Sequence, residues 1–201
     1  MVNIKLVFIS RTIKKPKRNT VASQIDNFVA KTLKTPGPLK TALLAGNTPL
    51  MMKLPNNLVV GATNPTTINI KGQNILQLRP SDIHAAGIGL FAMRNYNNGE
   101  PIIAIRAELL EKKTIDKSLI HSKYTWVQPS FPGNKQPLFA FCQYDISKSN
   151  LARYINSKAG TGKAANIKME YYAGGTIAVV VASRKIIAGE VGKELLADYS
   201  L

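Results

Sequence analysis

Val21, Ile25, Phe28, Val29 and Leu33 recur at the three- and four-residue spacing of one helix face, and this pattern predicts an amphipathic helix over residues 21–33. Thr20 or Ser23 is placed to cap it, Asp26 falls in the first turn where a negative charge suits the helix dipole, and Pro36-Gly37-Pro38 ends it. A stripe of this width implies docking on a core, and less often on a membrane surface or in a partner's groove. From Thr41 to Gly72, short apolar pieces (Ala42-Leu43-Leu44-Ala45 and Leu58-Val59-Val60) are separated by Asn, Thr, Gly and Pro, which reads as an extended arm with short strands. After Asn74 the texture changes. Residues 75–78, 102–105, 138–141, 167–171 and 176–182 are rich in Ile, Val and aromatics, with Gly, Pro and Asn between them, and predict strands. A helix is expected at about 107–119. The pattern describes a mainly β domain with short helices, preceded by a helical and extended arm.

Charge divides the chain in the same place. The 201 residues carry 27 Lys and Arg against 11 Asp and Glu, a formal net charge of +16. Residues 1–75 hold 11 of the basic residues and one acid, Asp26, for +10; residues 76–201 account for the remaining +6. A basic arm of residues 1–75 on a milder domain of residues 76–201 points to a polyanion, most often nucleic acid. Arg11, Lys14, Lys15, Lys17 and Arg18 form the densest cluster, which has the form of a nuclear-import signal and equally of a phosphate-binding tail. The bland alternative is a solvated charge run.

Other function classes are narrowed by what the composition lacks. Cys142 is the single cysteine, so the chain has no disulfide framework and no Cys-rich zinc site; in the run Leu138-Phe139-Ala140-Phe141-Cys142 it reads as a small core residue. With two histidines, His84 and His121, no metal site is expected. No run approaches the ~20 apolar residues of a membrane span, and the start lacks the form of a secretory leader. An intracellular setting is expected, in a nucleus or a virion-like nucleoprotein particle. No aromatic-rich RNA-binding signature appears.

Three runs then carry a resemblance. The first is Ser81-Asp-Ile83-His-Ala-Ala-Gly87-Ile88-Gly89-Leu90-Phe91-Ala92, with Gly99-Glu100 after it. The second is Asn150-Leu-Ala-Arg153-Tyr154-Ile155-Asn156. The third is Ala182-Ser-Arg184-Lys-Ile186-Ile-Ala-Gly189-Glu190, followed by Glu194-Leu-Leu-Ala-Asp198-Tyr199. In this order they resemble the SET domain of protein-lysine methyltransferases, over about residues 76–201. The resemblance implies a fold of small sheets with a C-terminal pseudoknot, and methyl transfer from S-adenosylmethionine to a lysine of a basic protein such as a histone.

It also implies roles. Gly87, Ile88 and Gly89 would present backbone groups to the amino-acid portion of the cofactor. Arg153, Tyr154 and Asn156 resemble the family's Arg-Phe-Ile-Asn segment, in which the Asn amide bonds the methionyl part; Ser157 stands where the family has a His, a loss shared with the PRDM-like branch. Asn166 matches a later family Asn. Tyr199 would be the catalytic residue, its hydroxyl aligning a neutral lysine at the floor of a narrow channel; desolvation there lowers the lysine pKa from near 10.4. Channel walls are expected from Tyr124 and Trp126, the N-terminal arm or another subunit. Ile105-Arg106-Ala107 lacks the family's Tyr-x-Gly, and the spacing from Gly189-Glu190 to Tyr199 requires an insertion of about three residues near Glu190 to Gly192. These departures leave a second reading open: a catalytically silent, SET-derived structural or binding protein of a viral or ribosome-like nucleoprotein assembly.

Overall fold

The structure is a computed structural model that describes residues 21–47, 67–70, 72–115, 124–127, 138–145 and 148–199. The basic cluster from Arg11 to Arg18, the capping candidate Thr20 and the expected apolar piece at 58–60 lie outside the described residues. Helix α1 spans Val21–Lys34, as the stripe predicts, and turns Ile25 and Val29 into the core; Asp26 is its sixth residue, so no acid lies in the first turn, where one was expected.

The next segment differs from the expectation. Residues 38–47 form a second helix, α2, Pro38–Asn47, where an extended arm was expected. A four-residue apolar run does not reveal its period, whereas Pro at the first helical position and the Leu- and Ala-rich sequence after it favour a helix. Ala42, Leu43 and Ala45 are fully buried.

The sheets are small. The first runs β1 (Thr67–Ile70), β2 (Gln73–Pro80), β3 (Ile88–Ala92) and β11 (Lys193–Glu194) in that spatial order, all neighbours antiparallel. The second orders β4 (Pro101–Ala104), β10 (Ile177–Ala182) and β9 (Ile167–Tyr172). All six residues of β10 are buried, because the hydrophobic core covers both faces of this sheet's central strand. The third sheet is β5 (Glu108–Glu111), β7 (Phe139–Cys142) and β6 (Thr125–Val127). Here a second expectation fails. In place of a helix at 107–119 the chain forms β5 and a 3₁₀ turn at Lys112–Thr114, because β7 pairs Glu108 with Cys142 through Glu111 with Phe139; residues 116–119 lie outside the described ones.

The C-terminal segment closes the fold. Strand β12 (Leu196–Ala197) pairs in parallel with β8 (Asn156–Ser157) immediately after β11 has paired with β3. Buried Asn166 clamps it from the other side: its Nδ2 donates to the Glu194 carbonyl at 2.7 Å and its Oδ1 accepts from the Leu196 N–H at 2.8 Å. A strand held on both sides by earlier loops is the pseudoknot that the resemblance implies.

Both helices belong to the same hydrophobic core as β2, β3, β4 and β10, although they lie in the segment set apart by charge. A buried amide ties α2 in. Asn150, fully buried, donates from Nδ2 to the Gly46 carbonyl at 2.9 Å and the Ala104 carbonyl at 2.8 Å, and its Oδ1 accepts from Ala152 N–H. Gly46 has no room for a side chain, since a Cβ there would collide with the Ala104 carbonyl of β4. Cys142 is buried at the end of β7, as its apolar run predicts.

Candidate functional site

The turn between β2 and β3 gathers the first set of site residues. Ser81 N–H donates to the Gly87 carbonyl at 2.9 Å and closes the loop, and Ser81 Oγ accepts from Ile83 N–H at 3.0 Å. The two glycines serve different ends. Gly87 has φ +75°, which an L side chain resists, and nothing stands within 4 Å of where its Cβ would be. Gly89 faces a neighbour: a Cβ there would collide with Oε1 of Glu194. The sequence suggested that both glycines admit a ligand to the backbone; Gly89 instead makes room for this carboxylate.

Glu194 is the residue that sequence reasoning missed as a functional candidate. It is 3% exposed, and a buried carboxylate is costly unless hydrogen-bonded. Its Oε1 accepts from Ser81 Oγ at 2.6 Å and from Asn156 Nδ2 at 3.0 Å, while Oε2 accepts from Asp82 N–H at 3.0 Å. One side chain therefore joins the β2–β3 turn to Asn156 and packs against Gly89 of β3. The available signal was alternation: buried Glu194 follows exposed Lys193, stands opposite Phe91 in the β11–β3 pair, and reaches with its carboxylate to Gly89 two residues along β3.

Asn156 is oriented by this network. Its Nδ2 also lies 3.1 Å from the Ile88 carbonyl and 3.3 Å from Ser81 Oγ. A carboxylate and a carbonyl both demand a donor, so the amide nitrogen must face them. The amide's Oδ1 accepts no hydrogen bond among the described residues. The result is an acceptor of fixed orientation beside Ile88, close to the open side of Gly87.

The second set of site residues surrounds Tyr199. Its hydroxyl donates to the Ile155 carbonyl at 2.8 Å, one residue from Asn156, and its ring lies 4.9 Å from that of Trp126 on β6. Burial holds the phenol well above the usual tyrosine range, so it stays protonated at neutral pH. With its proton committed to Ile155, the oxygen has lone pairs left to accept a further contact. Trp126, expected as a channel wall, thus stands against the expected catalytic residue.

The remaining sequence candidates form a third group. The Arg153 guanidinium lies 4.6 Å from the centre of the Tyr124 ring and 5.6 Å from that of Tyr154, within cation–π range, and Nη1 donates to Ser149 Oγ at 3.3 Å. Ser157 Oγ accepts from Ala159 N–H at 3.1 Å. Asp198, next to Tyr199, pairs with Lys158 at 2.7 Å near the surface. Among the described residues no three His, Cys, Asp or Glu are grouped to hold a metal ion, and no helix is long and apolar enough to cross a membrane.

Residues 87–200 match the family described as the SET domain. Among solved structures the chain is similar to the methyltransferase domain of human PR domain-containing protein 2, at 20% identity and a TM-score of 0.44, over 60% of this chain and 74% of that one. No curated protein matches it. The family match spans more than half of the sequence and takes in Gly87, Asn156, Glu194 and Tyr199, and the chain belongs to the SET-domain family.

Proposed function

We propose that the protein transfers a methyl group from S-adenosylmethionine to a lysine of a basic protein. The observation that carries this reading is the pairing of Asn156 and Tyr199 around Ile155: an oriented amide acceptor on one side, and on the other a protonated hydroxyl whose oxygen has acceptor capacity left. The residues present suit the cofactor's amino-acid end. Asn156 Oδ1 can accept from its ammonium, and the open side of Gly87 admits an approach to the loop backbone. When bound, S-adenosylmethionine supplies an electrophilic methyl on a positively charged sulfur.

The chain's own contribution is positioning. Tyr199 accepts an N–H of the incoming amine and fixes its direction. Trp126 and the buried surroundings of Tyr199 keep water away, which favours a neutral amine over an ammonium. Tyr199 cannot act as a base near neutrality, since burial holds its proton on, so the amine must shed its own proton to solvent before attack.

The catalytically silent reading also has an observation behind it. The amide N–H groups of Asn156 are engaged by Glu194, Ile88 and Ser81, and the Arg153 guanidinium is stacked on Tyr124, so two expected cofactor contacts are used within the protein. Calorimetry with S-adenosylmethionine separates the readings. Wild type should bind it, and Asn156→Ala should lose about 1.5–3 kcal/mol, roughly ten- to a hundredfold in affinity. Tyr199→Phe should bind the cofactor nearly normally yet transfer little labelled methyl to a basic protein. Absence of any heat with wild type would favour the silent reading; equal transfer by Tyr199→Phe would remove Tyr199 from catalysis. The arm carrying Arg11, Lys14, Lys15, Lys17 and Arg18 is proposed to hold the protein on nucleic acid, by its charge alone.

A further inference from the structure

A shallow depression of about 300 Å³ lies on the opposite face of β11 from Asn156. It is lined by Asn166, Arg184, Lys185, Ile186, Ile187 and Lys193. Successive residues of a strand point to opposite faces: Glu194 points into the Ser81–Asn156 network, and Lys193 points out to the depression. The depression is therefore separate from the candidate active site, though only one residue of chain divides them.

Its charge is uncompensated. Among the described residues Arg79, Arg94, Lys113, Lys148, Lys158 and Lys168 each lie within 3.8 Å of a carboxylate. Arg184, Lys185 and Lys193 form no such pair, all three are exposed, and no acid lines the depression. They come from two segments, the loop after β10 and strand β11, which the fold brings together. Arg184 is also held in place, since Nη2 donates to the Ala164 carbonyl at 3.0 Å, so its planar donor face is partly ordered before any ligand arrives. The side chain of Asn166 is occupied with the backbone of Glu194 and Leu196 and forms a rigid floor, beside buried Ile186 and exposed Ile187.

We propose that this depression binds the phosphodiester backbone of a nucleic acid, with Arg184, Lys185 and Lys193 as the phosphate contacts. Three unpaired cations converging on a shallow, open surface match a backbone that passes across it. An acidic peptide would need deeper pockets for its side chains, and the lining offers none. The net charge of +16 adds a long-range attraction to a polyanion. The site would fix position on the strand and carry no sequence preference, because it offers nothing aimed at base edges. It is independent of the basic arm and of methyl transfer.

The test uses the full chain with short labelled RNA and DNA duplexes of random sequence, titrated over a range of salt concentrations. Inorganic phosphate and poly-glutamate serve as competitors. R184Q/K193Q removes one contact from each segment at exposed positions; K112Q/K113Q removes the same charge on β5's flank. The first pair should lower affinity by about tenfold or more and flatten the slope of log affinity against log salt by about 2, the release expected for two lost phosphate contacts. The second pair should leave the slope near wild type. Equal effects of the two pairs would reduce the site to net charge, and an unchanged slope in R184Q/K193Q, with its melting temperature preserved, would reject it. Stronger competition by poly-glutamate than by unlabelled nucleic acid would overturn the nucleic-acid assignment. Competition by free phosphate alone, with no duplex bound, would mark a small-anion site and overturn it equally.

Discussion

At the scale of single residues, the contact between Gly89 and Glu194 decides how the candidate site is built. A glycine in a Gly-x-Gly loop reads as an opening for a ligand, but here its missing side chain is filled from within by a carboxylate from another strand. This makes a prediction about coupling. Gly89→Ala should destabilise the fold by about 1–3 kcal/mol through overpacking, and Glu194→Ala should do so by a similar amount by leaving Ser81 Oγ and Asp82 N–H without their acceptor and Asn156 Nδ2 with one acceptor fewer. Once Glu194 is gone the space at Gly89 is free, so the double variant should be clearly more stable than the sum of the two losses. Urea unfolding of the four proteins measures this. Strict additivity would mean that the carboxylate does not occupy the space at Gly89. Gly87, Asn156 and Tyr199 were legible in the sequence because motif order marks them. Glu194 was not, since an acid between Lys193 and Leu195 looks like a surface charge until β11 is paired with β3, where Glu194 stands opposite Phe91, 103 residues earlier in the chain.

At the scale of elements, what could be read depended on whether a segment declares its own period. The stripe of α1 and the Ile- and Val-rich run of β10 declare theirs, and both were found where expected. Ala42-Leu43-Leu44-Ala45 and Leu109-Leu110 do not: two or four apolar residues fit either period, and the partner decides. Strand β4 makes α2 a buried helix, and β7 makes residues 108–111 a strand. The α2–β4 contact rests on Asn150, whose Nδ2 serves carbonyls from both elements. Asn150→Ala should therefore cost about 2–4 kcal/mol, because two buried carbonyls lose their donor at once. Chemical denaturation checks it. A loss within 0.5 kcal/mol, as for an ordinary surface position, would show that water replaces the amide there and that α2 is a loosely held addition.

At the scale of the whole molecule, burial of tyrosines ties stability to alkaline pH. Burial pushes Tyr96, Tyr171 and Tyr172 up to about 12, with a hydrogen bond from Tyr172 to Glu170 adding to the last, and pushes Tyr199 higher still. In the unfolded chain these phenols ionise near pH 10. The folded state thus holds more protons than the unfolded one above that pH, and the stability they contribute is whole below pH 10 and is lost as pH rises through about 12. Net charge acts in the opposite direction: the chain carries +16 at neutral pH, and loss of lysine protons near pH 10 relieves self-repulsion. A fall in stability over this window therefore comes from the phenols together with the loss of surface lysine–carboxylate pairs such as Lys148–Glu108, and the tyrosine absorbance separates the two. Ultraviolet absorbance should show these tyrosines ionising together with the loss of far-ultraviolet dichroism above pH 10, whereas in concentrated urea they should titrate near pH 10 without a delay. Ionisation of all seven tyrosines near pH 10 with the dichroism intact would contradict the burial of Tyr199, on which the role proposed for it depends.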